Sequence, residues 1–396
     1  MEPARVAEKA PPSPAVKKRA SAFGADLPSF VVKDEEAVRA EPTDDSEQLG
    51  TLLPGARISV VALGEQRKAC RWMEIEPAGW ICARGEPSKL APSADVYPRL
   101  WARGYDGRVF RDEDDIRANG GYKPAQPVAI VRPWPVKPIT IDKKQYMRTA
   151  DGEYVPWTSV PRYWGDEYAG VALDGAKTPK LPIAWTWFHE THEKPTPVHA
   201  GPSRKDKVVR SLPLRARVDL LAEEGKWVRI GDGEWVARED LKIIRGPAAP
   251  PPEVTGANEV WVDVVLSQQA LVLYRGKTPI HATLVSTGRE KYPTPTGIFR
   301  IKKKTPVSTF QSPRPDLIDY KIEDVAWAMH ISDVYAIHGA WWNRGFGVPI
   351  SLGCVDVPAT DIRVVYEHVE PKIPPGWWQA HATKEHPGSV VRIRLN

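Results

Sequence analysis

The chain has 396 residues, 42% of them hydrophobic and 27% charged, and a formal net charge of +5. That length suggests two to four domains of ordinary globular composition. So small a charge makes no case for nucleic acid, and no apolar run of about eighteen residues is present to cross a membrane. Sixteen Trp and forty Pro favour short strands joined by turns over long helices.

Residues 1–30 read as a disordered tail rich in Pro, Ala and Lys, with a basic triplet at Lys17-Lys18-Arg19 and no h-region of a signal peptide. Residues 31–95 and 191–245 read as two copies of one β-unit. Val38-x-Ala40-x-Pro42 recurs as Val198-x-Ala200-x-Pro202, and Ala56-Arg57 as Ala216-Arg217. Trp72-x-x-Ile75 recurs as Trp227-x-x-Ile230, and Trp80 as Trp235. Repetition of this kind marks duplicated structural units. The copies resemble bacterial SH3-type domains, small barrels that bind the cell wall in some proteins and only support a catalytic domain in others. Cys70 and Cys82 flank two short strands. They either pair across a hairpin in an oxidising compartment or remain two small buried thiols, and the sequence leaves both open.

Residues 96–190 read as a further β-rich module without chemistry of its own. It holds a short helix at Arg111–Arg117 and a hairpin turn at Asp151-Gly152. His189-Glu190-Thr191-His192 falls one residue short of the His-Glu-x-x-His spacing, so its two imidazoles would not share a helix face. A loop is expected there, and neither a metal nor an organic cofactor is expected anywhere. Residues 246–257 form a stiff proline-rich linker, and residues 258–396 form the catalytic domain.

That last region carries the chemistry. Ile337-His338-Gly339 is followed by Ser351-Leu352-Gly353-Cys354-Val355-Asp356. A free thiol, with a pKa of about 8.5, is mostly protonated at neutral pH and needs a base to become a nucleophile. His338 supplies one, and Gly353 lets backbone N–H groups turn toward a carbonyl under attack. An active thiol is expected to react with a midpoint below that of free cysteine. Trp341 and Trp342 lie in a loop expected to close over the thiol, with Asn343-Arg344-Gly345 exposed. His330 reads more readily as a partly buried strand residue than as part of the cleft. A helix starting near Thr360 is expected to pack Ile362, Val365 and Tyr366 behind the site.

Residues 258–370 resemble the L,D-transpeptidase (YkuD-type) catalytic domain. Besides the His-Gly and Ser-x-Gly-Cys motifs, Val262–Gln269 resembles the family's opening strand, Val285-Ser286-Thr287-Gly288 its second segment, and Thr294-Pro295-Thr296-Gly297-Ile298-Phe299 its Thr-Pro-x-Gly-x-Phe turn. The resemblance implies a mainly β fold: a mixed-sheet β-sandwich catalytic domain preceded by small SH3-like β-barrel modules. It implies Cys354 as nucleophile, His338 as base, and the Gly339 carbonyl as the group orienting the imidazole. The N–H groups of Leu352, Gly353 and Cys354 would form the oxyanion hole, with Ser351, Asp356, Trp341 and Trp342 toward the substrate. The implied partners are peptidoglycan stem peptides, in the periplasm or cell envelope; no export signal is visible, and no feature sets an oligomeric state. Two departures stand out: Leu352 where the family commonly has His, and Asp356 where it usually has Arg or Asn. A carboxylate there would raise the thiol's pKa and repel an anionic substrate group, so altered specificity is expected. The same residues would serve a carboxypeptidase or a crosslink-cleaving peptidase, and a lapsed site would leave a wall-binding protein.

Overall fold

The computed structural model describes residues 19–67, 69–93, 99–101, 108–121, 129–131, 139–148, 153–156, 168–187, 195–311 and 321–396. Two regions share one architecture. In the first, eight strands run Ser29–Val32, Glu36–Arg39, Gln48–Leu52, Arg57–Ile58, Val60–Gln66, Arg71–Ile75, Trp80–Ala83 and Gly85–Ser88. In the second they run Ile183–Thr186, Thr196–His199, Val208–Leu212, Arg217–Asp219, Ala222–Glu224, Trp227–Gly231, Glu234–Ala237 and Leu241–Ile244. Counted within each copy, the strands form sheets of order 4-1-8 and 3-2-7-6-5 in both. Even the irregularity repeats, with a register shift at Val38/Arg39 in one copy and at Val198/His199 in the other.

Three expectations change here. Each copy is a pair of sheets, and no closed barrel forms among the described residues. The second copy begins at Ile183, ahead of the expected boundary at 191, because its first strand completes the 4-1-8 sheet. The first begins at Ser29, and chain expected as tail is already packed before it: Arg19 Nη1 donates to Glu74 Oε1 and Phe23 stacks on Phe30. Cys70 and Cys82 are joined in a disulfide. Between the copies, Ile139–Ile141, Lys144–Arg148 and Tyr154–Pro156 form a three-stranded antiparallel sheet. The helix Glu113–Arg117 is capped by Asp112, whose side chain accepts from Asp115 N at 2.8 Å. The expected turn at Asp151-Gly152 and the loop His189–His192 lie outside the described residues.

The C-terminal region is built on a sandwich of two mixed sheets. One has the order Val171–Ala172, Thr278–Leu284, Ala270–Arg275, Val260–Val265, Val390–Arg394, Gly297–Arg300. Alternation along its strands buries both faces. Val262, Val264, Leu271 and Leu273 face the second sheet, while Trp261, Val272 and Tyr274 pack with Ile183, Trp185 and Ile244 of the second copy. The other sheet runs Val355–Val357, Ala336–Gly339, Lys321–His330, Lys303–Gln311, Gln379–His381 and continues into the five strands of the first copy. The two sheets thus hold the two copies in different ways, one by its face and the other by its edge. The linker does not stand off as a spacer. Ala248 N donates to Tyr274 Oη at 3.0 Å, Arg392 Nη1 donates to Ala249 O at 2.9 Å, and Val254 packs against the sheet.

The helix Ala359–His368 buries Ile362, Val365 and Tyr366, as expected. Its C-terminal carbonyls are satisfied from outside: buried Lys304 Nζ donates to Tyr366 O and Val369 O at 2.6 and 2.9 Å. Asp361, in its first turn, accepts from Gly170 N, His281 Nε2 and Thr283 Oγ1. That cluster ties the chain before the second copy to the C-terminal region.

Candidate active site

The His-Gly strand and the Cys turn are neighbours because two short strands run side by side in parallel. Ala336–Gly339 pairs with Val355–Val357 so that Ile337 lies opposite Val355 and His338 opposite Asp356. The Cys turn immediately precedes the second of these strands. Gly353 sits at φ +116°, and a Cβ there would meet the Tyr335 ring at 2.6 Å, so only glycine fits. Ser351 Oγ donates to Cys354 O at 2.6 Å and accepts from Gly353 N at 3.1 Å.

The other motifs are fastened to this turn. Ser286 and Asp356 exchange both backbone hydrogen bonds at 2.9 Å, and Ser351 N donates to Thr287 O at 3.0 Å. Gln269 clasps Thr287 in turn, donating to its Oγ1 at 2.6 Å and accepting from its N at 2.9 Å. Thr294 Oγ1 accepts from Gly288 N at 2.8 Å and donates to Gly353 O at 2.9 Å. Four segments separated in sequence therefore build one turn.

Buried His338 lies between Phe310, edge-on at 4.8 Å, and Trp342, stacked at 5.7 Å. Its Nδ1 donates to Gly339 O at 3.3 Å, and its Nε2 lies 3.3 Å from Asp356 Oδ1. Burial lowers its pKa to about 4. Burial raises that of Asp356 to about 7, against the pull of Asn343, whose Nδ2 donates to Asp356 Oδ2 at 3.1 Å. Cys354 is half-buried, with its Sγ directed at Val334 O, 3.9 Å away. Desolvation pushes the thiol up to about 12, and Asp356 adds to that push while the Ala336 backbone opposes it.

The arrangement alters four sequence expectations. The thiol is raised, not lowered, because burial, with Asp356 adding to it, outweighs the Ala336 backbone. Gly353 N–H and Ser351 Oγ are committed to the turn itself, which leaves the amides of Leu352 and Cys354 from the expected oxyanion set. Asp356 is buried and faces His338 and Asn343 in place of the solvent. Asn343 is buried too, and Phe346 beyond it enters the core, so this part of the tryptophan loop is packed. Trp341 and Trp342 are half-buried, the latter against His338. His330 lies beside Phe310 with its pKa lowered to about 4, chiefly by burial.

Sequence reading missed Phe310, Asn343 and Tyr335, since none lies in a motif. It also missed the second copy's grip on the loop: Arg215 Nη1 donates to Arg344 O at 3.1 Å, and Trp187 packs on Gly347. Among the described residues no cluster of three or more His, Cys, Asp or Glu could hold a metal ion. No helix there is long and apolar enough to cross a membrane.

Residues 259–393 match the model of the YkuD family, the L,D-transpeptidase catalytic domain. No curated protein is similar enough to match the chain. Among solved structures, the catalytic domain of an Enterococcus faecium L,D-transpeptidase is 21% identical, with 35% of this chain and 98% of that one covered and a TM-score of 0.28. An L,D-transpeptidase from Mycobacterium smegmatis is 16% identical over 58% of this chain and 96% of its own, with a TM-score of 0.29. One from Stackebrandtia nassauensis is 20% identical, with coverages of 36% and 58% and a TM-score of 0.26. Set beside the four interlocked motifs, the family match identifies residues 259–393 as a YkuD-type L,D-transpeptidase catalytic domain.

Proposed function

We propose that the chain is a peptidoglycan L,D-transpeptidase of the periplasm or cell envelope, with Cys354 as its nucleophile. The observation that carries this reading is the convergence of all four motifs on the turn that holds Cys354. The substrate is a tetrapeptide stem, attacked at the carbonyl that joins its third residue to the terminal D-Ala. As the Sγ–C bond forms, the thiol proton passes to His338 and the carbonyl electron pair moves onto oxygen, toward the amides of Leu352 and Cys354. A thiol pushed up to about 12 makes this a coupled proton transfer and not an attack by a standing thiolate. Collapse of the adduct breaks the C–N bond, His338 returns the proton to the departing D-Ala nitrogen, and an amine of a neighbouring stem resolves the acyl-enzyme.

Trp341 and Trp342 border the pocket for the stem, and the two repeated modules act as SH3-like supports. The test is mass spectrometry of tetrapeptide muropeptides incubated with the wild type and with Cys354→Ala. Loss of D-Ala with a crosslinked dimer, absent in the variant, is the expected result. Loss of D-Ala without dimer would make water the acceptor and the enzyme a carboxypeptidase. Untouched substrate with folded wild-type protein would overturn the catalytic reading in favour of a wall-binding role.

A further inference from the structure

The position of Asp356 raises a question of proton bookkeeping. A backbone carbonyl only accepts, so the His338 Nδ1 that faces Gly339 O at 3.3 Å carries a hydrogen. Gly345 N donates to Asn343 Oδ1 at 2.8 Å, which fixes the other end of that amide, Nδ2, as the donor to Asp356 Oδ2. One contact is left, 3.3 Å between His338 Nε2 and Asp356 Oδ1. Without a further proton it would set two lone pairs against each other in a buried place. With one proton, carried on either atom, it becomes a hydrogen bond. Neither group can turn away freely: the Asp356 carboxyl is held by Asn343 Nδ2 on a main chain paired with Ser286, and the imidazole is boxed by Phe310 and Trp342.

We infer that Asp356 is a positioning residue that shares one proton with His338 Nε2, and that Cys354 can be deprotonated only after this proton has left. Once it has gone to solvent, Nε2 can take the thiol proton, and the Asp356 carboxylate stabilises the imidazolium until that proton is returned. Asp356 gains and loses nothing over the cycle. This inference rests on reading residues 259–393 as a thiol acyltransferase.

Among the described residues, the groups around the pair do not supply an alternative switch. Lys321–His330 contributes His330, already pushed down to about 4. Lys303–Gln311 contributes the uncharged Phe310 ring and, beside His330, Lys303. The loop contributes Trp342 and Asn343, the helix contributes Ile362 against Gly339, and the Cys turn contributes the thiol itself. A carboxyl raised to about 7 by burial puts the shared proton's departure near neutrality.

The test needs no peptidoglycan. The chain has three cysteines, and two are joined in the disulfide, so iodoacetamide reads Cys354 alone. The alkylation rate of the full wild-type chain is expected to rise with an inflection near pH 7 and then level off. Asp356→Ala removes the partner that shares the proton, leaving Nε2 open, and should move the inflection down by at least one unit. Its rate at pH 6, relative to its own plateau, then exceeds that of wild type by at least about fivefold. Asn343→Ala keeps the pair but removes the donor that favours the carboxylate, so it should move the inflection up. Loosened packing would not produce opposite shifts. Unchanged inflections in both variants overturn the inference, and so does an unmoved Asn343→Ala profile should Asp356→Ala fail to fold. Failure of the muropeptide assay, by contrast, would overturn the transpeptidase reading and leave this profile intact.

Discussion

The two repeated modules have the same strand order and opposite relations to the rest of the molecule. In the first copy the third strand pairs with Gln379–His381, placing Gly50 opposite Ala380 and Thr51 opposite Gln379. In the second, the corresponding strand Val208–Leu212 is an outer strand of its sheet, with Val208 and Val209 nearly half exposed. One residue explains much of the difference. Gly50 lies opposite Val38 as Arg210 lies opposite Val198. A Cβ at Gly50 would sit 2.3 Å from Gln379 O and 2.4 Å from Trp377, so the docked edge admits no side chain. Arg210 instead pairs with Glu234 at 2.6 Å and guards its edge with charge. A duplicated unit can thus be made to join a sheet or to refuse one by changing a single outward position.

The comparison can be broken most severely at Trp377, which the C-terminal chain inserts into the first copy's core. Trp377→Ala should cost about 3–5 kcal/mol, read as a fall in denaturant midpoint, because the cavity opens in both partners at once. An unchanged midpoint would show that the first copy's core closes without it. Next comes the disulfide, which has no counterpart in the second copy, where Gly225 and Ala237 take the corresponding places. Replacing both cysteines by Ser should cost about 3 kcal/mol, seen as a lower Tm by calorimetry. Gly50→Ala should cost about 2 kcal/mol and speed proteolysis of the first copy, since a methyl group must displace backbone. Arg210→Ala should change stability by less than about 0.5 kcal/mol, because its ion pair is largely solvated. If Arg210→Ala instead causes association at high concentration, seen by light scattering, the guarding role is sharpened.

The family motifs were legible because each is a short run that can be read locally: a cysteine, a histidine and the glycines between them. The repeat was legible through its Trp and Val spacing. Its first strand was not, because Ser29-Phe30-Val31-Val32 and Ile183-Ala184-Trp185-Thr186 share no residue in register, only burial. The partnership of His338 with Asp356 was hidden for a different reason. Parallel register between two strands is fixed by the segments that flank them, here Val285–Gly288 and Thr294, and not by the strands' own residues. Asn343 looked like an exposed loop residue, yet a buried carboxyl needs a donor, and it is the one within reach.

The shared ten-stranded sheet also sets an order of events during synthesis. The first copy leaves the ribosome early, but its third strand and its core await Gln379–His381 and Trp377 from the far end of the chain. Until those arrive it carries an unpaired edge and an unfilled core. Contacts so distant in sequence form late, so this module is finished by a segment made long after it.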